Sequence, residues 1–197
     1  VNLELCAKHV KPDLILDIGA NCGYWALEAK KVWPDTGFYL VEANPECESA
    51  LSKLGMSYLI AVLSDRQKEV DFYTLKDCET ATGASYFYNE DYKVNVKTVT
   101  TTTLDDVIGE IKGDVLVKID TQGSELDIMR GGKRVMSKVS SVILEVSYEE
   151  YNEGAPTWEE VNSYMSDLGF EVVETVGQNV HPITRKHIQS DILWKRI

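Results

Sequence analysis

Residues 13–24, Asp-Leu-Ile-Leu-Asp-Ile-Gly-Ala-Asn-Cys-Gly-Tyr, constrain the fold more than any other stretch. An apolar run at 14–18, broken only by Asp17, ends in Gly19-Ala20-Asn21-Cys22-Gly23. Trp25, Ala29, Val32 and Trp33 then follow at i, i+4, i+7 and i+8. A short apolar run, two glycines and one face of a 3.6-residue period read as buried strand, tight turn and helix. Such a junction is expected to present free backbone N–H groups and the positive end of a helix dipole to a ligand beyond the strand's carboxyl end. Glycine suits the turn because it tolerates φ > 0 and keeps a side chain out of the ligand's way.

The spacing narrows the ligand. A dinucleotide fingerprint runs G-x-G-x-x-G and seats a pyrophosphate on the helix N-terminus, whereas this chain reads Asp17-x-Gly19-x-x-x-Gly23. A carboxylate at the strand end repels diphosphate and suits an ammonium or hydroxyls. That pattern fits the amino-acid half of S-adenosylmethionine better than it fits NAD. A turn that only links strand to helix is the competing reading. About twenty residues past the first glycine, Glu42 closes a second apolar run at 38–41 and leads into Ala43-Asn44-Pro45. A carboxylate there can accept both hydroxyls of an adenosine ribose, and Asn44 with Pro45 starts a helix carrying Cys47, Ala50, Leu51 and Leu54. Ser64-Asp65 ends an expected third strand at 56–63. Asp65 there either accepts from the exocyclic amine of adenine or caps a polar turn.

Charge and composition remove other function classes. A net charge of -12 without a basic run argues against a sequence-independent hold on nucleic acid. No apolar run reaches the roughly 20 residues of a membrane span, and no signal peptide is visible. Cys6, Cys22, Cys47 and Cys78 form no C-x-x-C pair, which reads as reduced thiols in a cytoplasmic protein rather than a zinc site or disulfide frame. The 197 residues suit a single domain. The oligomeric state is open.

The rest of the chain alternates strand and helix signals. Residues 1–12 read as an approach to the first strand. Segments 70–75 and 94–100 are candidate strands in an inserted region, 69–103. Between them Tyr86, Phe87, Tyr88 and Tyr92 either pack beneath a loop or line a substrate mouth. Thr103 caps a helix bearing Leu104, Val107, Ile108 and Ile111. A fourth strand at 114–120 precedes Thr121-Gln122-Gly123-Ser124-Glu125, where Ser124 and Asp127 have capping-box spacing. A fifth strand at 142–146 carries Glu145. Thr157 and Glu160 form a second capping box, and strands at 170–176 and 191–197 are expected to close as an antiparallel hairpin.

Four ordered motifs resemble the FkbM-type S-adenosylmethionine-dependent methyltransferases: Asp17-Ile18-Gly19-Ala20-Asn21-x-Gly23, Val41-Glu42-Ala43-Asn44-Pro45, Thr103-Leu104-Asp105-Asp106 and Val117-Lys118-Ile119-Asp120-x-x-Gly123-x-Glu125. The resemblance covers roughly residues 13–197, and the segment Ser190-Asp191-Ile192-Leu193-Trp194 fits the family's terminal strand. It implies an α/β, Rossmann-like class I methyltransferase fold: a seven-stranded, mostly parallel sheet of order 3-2-1-4-5-7-6, helices on both faces, and O-methylation of a hydroxyl on a sugar, glycolipid or secondary metabolite. Carried over by position, it implies that Asp17, Gly19, Asn21, Gly23, Glu42 and Asp65 hold the cofactor. Ala20, Tyr24, Ala43, Asn44, Ser64 and Gln122 beside them are further cofactor-binding candidates, as is Asp120, which the resemblance sets facing the transferred methyl. The chain departs from the family's Asp-x-Glu-Gly at Gln122, which can hydrogen-bond but cannot act as a base.

Methyl transfer from a sulfonium is an in-line displacement, so holding the acceptor oxygen near the methyl and away from water supplies much of the acceleration. A hydroxyl must also lose its proton. Asp120, Glu125, Glu145 and His181 are the candidates to take it, with Asp120 preferred because the fourth strand's carboxyl end faces the first across the crevice. Each has a plainer reading: Glu125 can serve the helix dipole, Glu145 can pair with a lysine, and His181 can be a surface loop residue. Two other functions stay open, an NAD-dependent oxidoreductase and a non-catalytic nucleoside-binding protein. No acidic cluster has metal-ligand spacing.

Overall fold

The computed structural model describes residues 1–75, 85, 94–148, 156–180 and 187–197. His181, Cys78, Tyr86, Phe87, Tyr88 and Tyr92 lie outside them. Seven strands form one sheet: β1 (Leu14–Ile18), β2 (Gly37–Glu42), β3 (Ser57–Ile60), β6 (Val115–Ile119), β7 (Ser141–Ser147), β8 (Phe170–Val180) and β9 (His187–Arg196). Their order is β3-β2-β1-β6-β7-β9-β8. β4 (Glu69–Leu75) and β5 (Val94–Thr100) pair with each other as a separate antiparallel hairpin. Setting that hairpin aside, the order is the expected 3-2-1-4-5-7-6. In this sheet the β7–β9 and β8–β9 pairings are antiparallel and the others, β6–β7 included, parallel. The sheet reverses direction of growth at β1, where β2 and β6 flank it, and the carboxyl ends there open the crevice in which such sheets bind ligands.

Alternation along the strands builds two cores. Leu16 and Ile18 of β1, with Val115, Val117 and Ile119 of β6, face one side. There they meet α4 (Leu104–Val107), α5 (Glu125–Arg130), α6 (Lys133–Met136) and α7 (Trp158–Asp167). Ile15 and Leu116 face the other, against α1 (Leu3–Cys6), α2 (Tyr24–Val32) and α3 (Glu48–Leu51). Both faces are buried, which is why the parallel strands read as near-continuous apolar runs. Two polar residues break that rule on the α2 side, Asp17 and Lys118, and they are register partners on β1 and β6.

Several local readings change. Within residues 1–12 the chain forms a short helix: Asn2 caps α1 by accepting from Leu5 N at 3.0 Å, and Pro12 falls after the helix has ended. The helix expected to start at Pro45 is a 3-10 turn, Pro45–Cys47, followed by the single turn of α3, because Asn44 caps only Glu46 N. The helix after Thr103 stops at Val107. The capping box at Thr157 and Glu160 forms in both directions. The one expected at Ser124 does not: Ser124 caps α5 without a side-chain hydrogen bond, and the Glu125 carboxylate takes the loop amides instead.

Candidate active site

The site begins with the backbone of the first loop. Gly19 N and Ala20 N both donate to Val41 O, at 2.8 and 3.1 Å, and Gly23 N donates to Ala20 O at 2.8 Å. Asn21 N donates to Glu42 Oε2 at 2.6 Å and Cys22 N to Asn21 Oδ1 at 2.6 Å. The free loop amides expected at this junction are therefore absent: Val41 and Glu42 of β2 take three and the loop itself takes the other two. Asn21 reaches this arrangement in the left-handed region, at φ 50°, where asparagine is among the few side chains tolerated. Gly19, at φ +80°, is needed for a different reason than a close ligand: a Cβ there would stand 2.0 Å from the Asp120 carbonyl oxygen.

Glu42 is nearly buried and receives one amide on each oxygen, Asn21 N on Oε2 and Asn44 N at 2.7 Å on Oε1. Burial pushes its carboxyl up from the ordinary range, and the Asn44, Asn21 and Ala43 amides work against that push. Each oxygen keeps a second lone pair for a donor in the cleft.

The second loop, after β6, is shaped by Glu125. Its Oε1 accepts from Thr121 N at 2.9 Å, Gly123 N at 3.2 Å and Thr121 Oγ1 at 3.2 Å. Between those amides Gln122 sits at φ 57°. Its Nε2 reaches Asp120 Oδ1 at 3.2 Å and Glu145 Oε2 at 2.9 Å, so one amide ties the ends of β6 and β7 together.

Beneath both loops Lys118 Nζ lies 3.5 Å from Asp17 Oδ1 and 3.2 Å from Asp120 Oδ2, and 5.5 Å from the centroid of the Trp25 ring. Burial by itself pulls the ammonium below the ordinary lysine range. The carboxylates of Asp120 and Asp17 outweigh it and hold Lys118 above the ordinary lysine range. Asp17 is wholly buried and neither of its oxygens has a hydrogen-bond partner among the described residues. Lys118→Met is therefore expected to leave an uncompensated buried charge and lower stability by about 3–5 kcal/mol in urea denaturation, with Asp17→Asn recovering part of the loss. An unchanged midpoint in Lys118→Met would refute the pairing.

Gly19, Asn21, Glu42, Ala43, Asp120, Gln122 and Glu145 come together as the lining of one cleft, completed by Ala61, Val62, Leu63, Phe72, Ser85 and Thr121. The remaining predicted residues are placed elsewhere. Asp17 lies under the cleft, Ala20 and Gly23 in the loop's own turn, and Tyr24 is 72% exposed on α2. Asn44 lines an adjoining hollow of about 510 Å³ beneath the β4–β5 hairpin. Asp65 is turned to Arg66 at 2.7 Å and Lys68 at 2.8 Å, with Ser64 Oγ on its Oδ1; the Lys68 hydrogen bond holds its carboxyl below the usual range. The sequence singled out neither the apolar wall of Ala61, Val62, Leu63 and Phe72 nor two polar residues, Ser85 in the cleft lining and Gln189, which reaches the cleft's Glu145. Ser85, buried, donates to Gln122 O at 3.1 Å. Gln189 of β9 donates to Glu145 Oε2 at 3.2 Å. Neither sits in a motif, and only strand pairing and chain return bring them there.

A doubly wound sheet with a nucleoside-type cleft at its switch point, ending in carboxylates, is the architecture of class I methyltransferases. The model of the methyltransferase FkbM domain matches residues 17–172, and the chain belongs to that family of S-adenosylmethionine-dependent methyltransferases. It is 27% identical over 177 residues to the 2-O-methyltransferase NoeI of Sinorhizobium fredii, covering 78% of this chain and 72% of that protein. It is 28% identical over 91 residues to the O-methyltransferase gedA of Aspergillus terreus, covering 42% of this chain but only 19% of that one. Among solved structures, the magnesium protoporphyrin IX methyltransferase of Synechocystis PCC 6803 with bound S-adenosylmethionine superimposes with a TM-score of 0.55 at 11% identity, over 98% of this chain and 74% of that one. No helix among the described residues is long and apolar enough to cross a membrane, and no group of three or more metal-binding side chains occurs among them.

The cleft fits S-adenosylmethionine on its own chemistry. A diphosphate needs free loop amides, and all five from Gly19 to Gly23 are engaged. Hydroxyls need a carboxylate with spare lone pairs, and Glu42 supplies one.

Proposed function

We propose that this protein methylates a hydroxyl oxygen of a small molecule or glycan. The observation that carries the reading is Glu42, fixed by two backbone amides at 2.6 and 2.7 Å in the wall of a cleft whose other end holds Asp120 and Glu145. The names of the two relatives, both O-methyltransferases, support oxygen as the acceptor atom.

In this reading Glu42 accepts the ribose hydroxyls, and Ala61, Val62 and Leu63 give the adenine an apolar wall. Asp65 does not reach it. When bound, S-adenosylmethionine supplies an activated methyl group. Asp120, held by Lys118 and Gln122, takes the acceptor's proton as the new bond forms. Glu125 acts by shaping the loop that carries Gln122. Asp17 acts through Lys118, keeping that ammonium in place against Asp120. The free thiols of Cys6, Cys22 and Cys47 support a reducing compartment such as the cytoplasm.

A screen with methyl-labelled S-adenosylmethionine against glycan, lipid and small-metabolite extracts tests the reading, with label appearing in a hydroxylated product. Glu42→Ala should weaken binding of S-adenosylhomocysteine by about 10- to 100-fold in calorimetry, as expected for losing hydrogen bonds to a charged group. Equal affinity in wild type and variant would remove the ribose assignment. NADH titrated in parallel should show no binding.

A further inference from the structure

The methyl end of the cleft carries more acid than base. Asp17, Asp120, Glu125, Glu145 and Asp191, the register partner of Glu145 on β9, share two cations: Lys118, whose contacts go to Asp17 and Asp120, and the Val1 ammonium, 3.3 Å from Asp191 Oδ2. Glu125 is occupied with loop amides. Glu145 makes no ion pair among the described residues. What meets it is a pair of neutral amides, Gln122 Nε2 at 2.9 Å and Gln189 Nε2 at 3.2 Å, and both arrive on the same oxygen, Oε2. Gln189 is itself held by Ser147 Oγ at 3.4 Å and is 8% exposed. The other oxygen, Oε1, has no partner among the described residues, and the side chain lines the cleft. Two donors on Oε2 leave Oε1 as the place for a proton.

We propose that Glu145 works as a neutral carboxylic acid whose Oε1–H donates a hydrogen bond to the methyl acceptor's oxygen, aimed by Gln122 and Gln189 as positioning residues. The proposal rests on reading the cleft as the methyl-transfer site. A donor at that oxygen stabilises the negative charge that grows as the proton leaves for Asp120. Glu145 keeps its own proton throughout. The arrangement also selects against an ammonium acceptor, which has no lone pair to offer. Burial first, then the charges of Asp120, Asp191 and Glu125, push the Glu145 carboxyl from an ordinary 4.5 up to about 9. The sign follows: the proton held in the folded state contributes fully to stability below about pH 4.5 and is lost as pH rises through about 9.

Infrared difference spectra of wild type minus Glu145→Gln test protonation without any acceptor, on free protein and on protein loaded with S-adenosylhomocysteine. Wild type at neutral pH should show a protonated carboxyl C=O band that the variant lacks and that titrates away in the alkaline range. Gln189→Ala removes a donor that favours the anion, so its midpoint should move up by roughly half a unit to one unit. A merely structural glutamine would leave it still. Thermal denaturation should show wild type losing stability toward alkaline pH more steeply than Glu145→Gln. In label transfer to an extract that accepts methyl, Glu145→Leu should fall at least about tenfold, and Glu145→Gln, a neutral donor of the same shape, should recover most of the loss. No protonated band at neutral pH, an unmoved midpoint in Gln189→Ala, or a Glu145→Gln as inactive as Glu145→Leu overturns the proposal. Loss of S-adenosylhomocysteine binding by wild type would instead sink the site reading, and the free-protein spectra would still decide the protonation.

Discussion

Gly19→Ala is expected to cost the protein both its cofactor and a large part of its stability. A Cβ at this position would lie 2.0 Å from the backbone oxygen of Asp120 and 2.9 Å from its carbonyl carbon, at a φ of +80°. Backbone cannot rotate away as a side chain can, so β1 and β6 must separate at their carboxyl ends. The left-handed conformation adds about 1–2 kcal/mol and the clash about 1–3 kcal/mol more. Because Asp120 and the amides of Asn21 and Gly19 all move with that separation, affinity for S-adenosylhomocysteine should drop by at least about 100-fold, which is about 2.7 kcal/mol at 298 K. Urea denaturation and calorimetry on the same preparation read the two effects. Gly55→Ala is the control: it shares a positive φ of +67° but its Cβ would meet nothing within 4 Å. It should cost only about 1 kcal/mol and leave binding alone. If the two variants behave alike, the close approach of the two loops is not what requires glycine at position 19.

Asp120→Asn should separate binding from transfer. Asparagine keeps the size of the side chain and an oxygen for Lys118 Nζ, now 3.2 Å away, but it cannot take a proton. Transfer should fall by about 10²–10⁴-fold, the usual contribution of a positioned general base, while affinity for S-adenosylhomocysteine stays within a few-fold. Lys118 still has Asp17 at 3.5 Å, so the buried ammonium keeps a counter-charge and the fold should survive. A variant that retains more than a tenth of the transfer rate would move the proton to another acceptor.

Strand, glycine turn and helix at residues 13–32 were legible because both neighbours of that strand are parallel and buried, giving an apolar run that no surface element imitates. The seven-stranded order followed from the resemblance carried by four spaced motifs, and the structure shows it. Less of the site was legible. Asp17 looked like a cleft residue because it precedes the glycine loop, yet alternation along β1 turns it to the α2 side, where Lys118 neutralises it. Asp65 was expected to end a strand as Glu42 does, but β3 stops at Ile60 and Asp65 pairs with Arg66 and Lys68. Gln189 is 44 residues from Glu145 in sequence, and no periodicity could link them.

By itself, the sequence determined the run of buried strands and most of the helices between them, which depend on local pattern: which residues are apolar, at what period, and where glycine interrupts. Four spaced motifs determined the family. Only the tertiary structure decided what each polar group near the cleft does. Loop amides that look free along the chain are taken by Val41, by Glu42 and by the loop itself, and the glycine that seems to make room for a ligand makes room for a neighbouring backbone. The physical reason is that a hydrogen bond or a charge gains its role from its partner, and the partners that decide the site, Val41 and Glu42 for the first loop, Lys118 for Asp17 and Gln189 for Glu145, come from another strand.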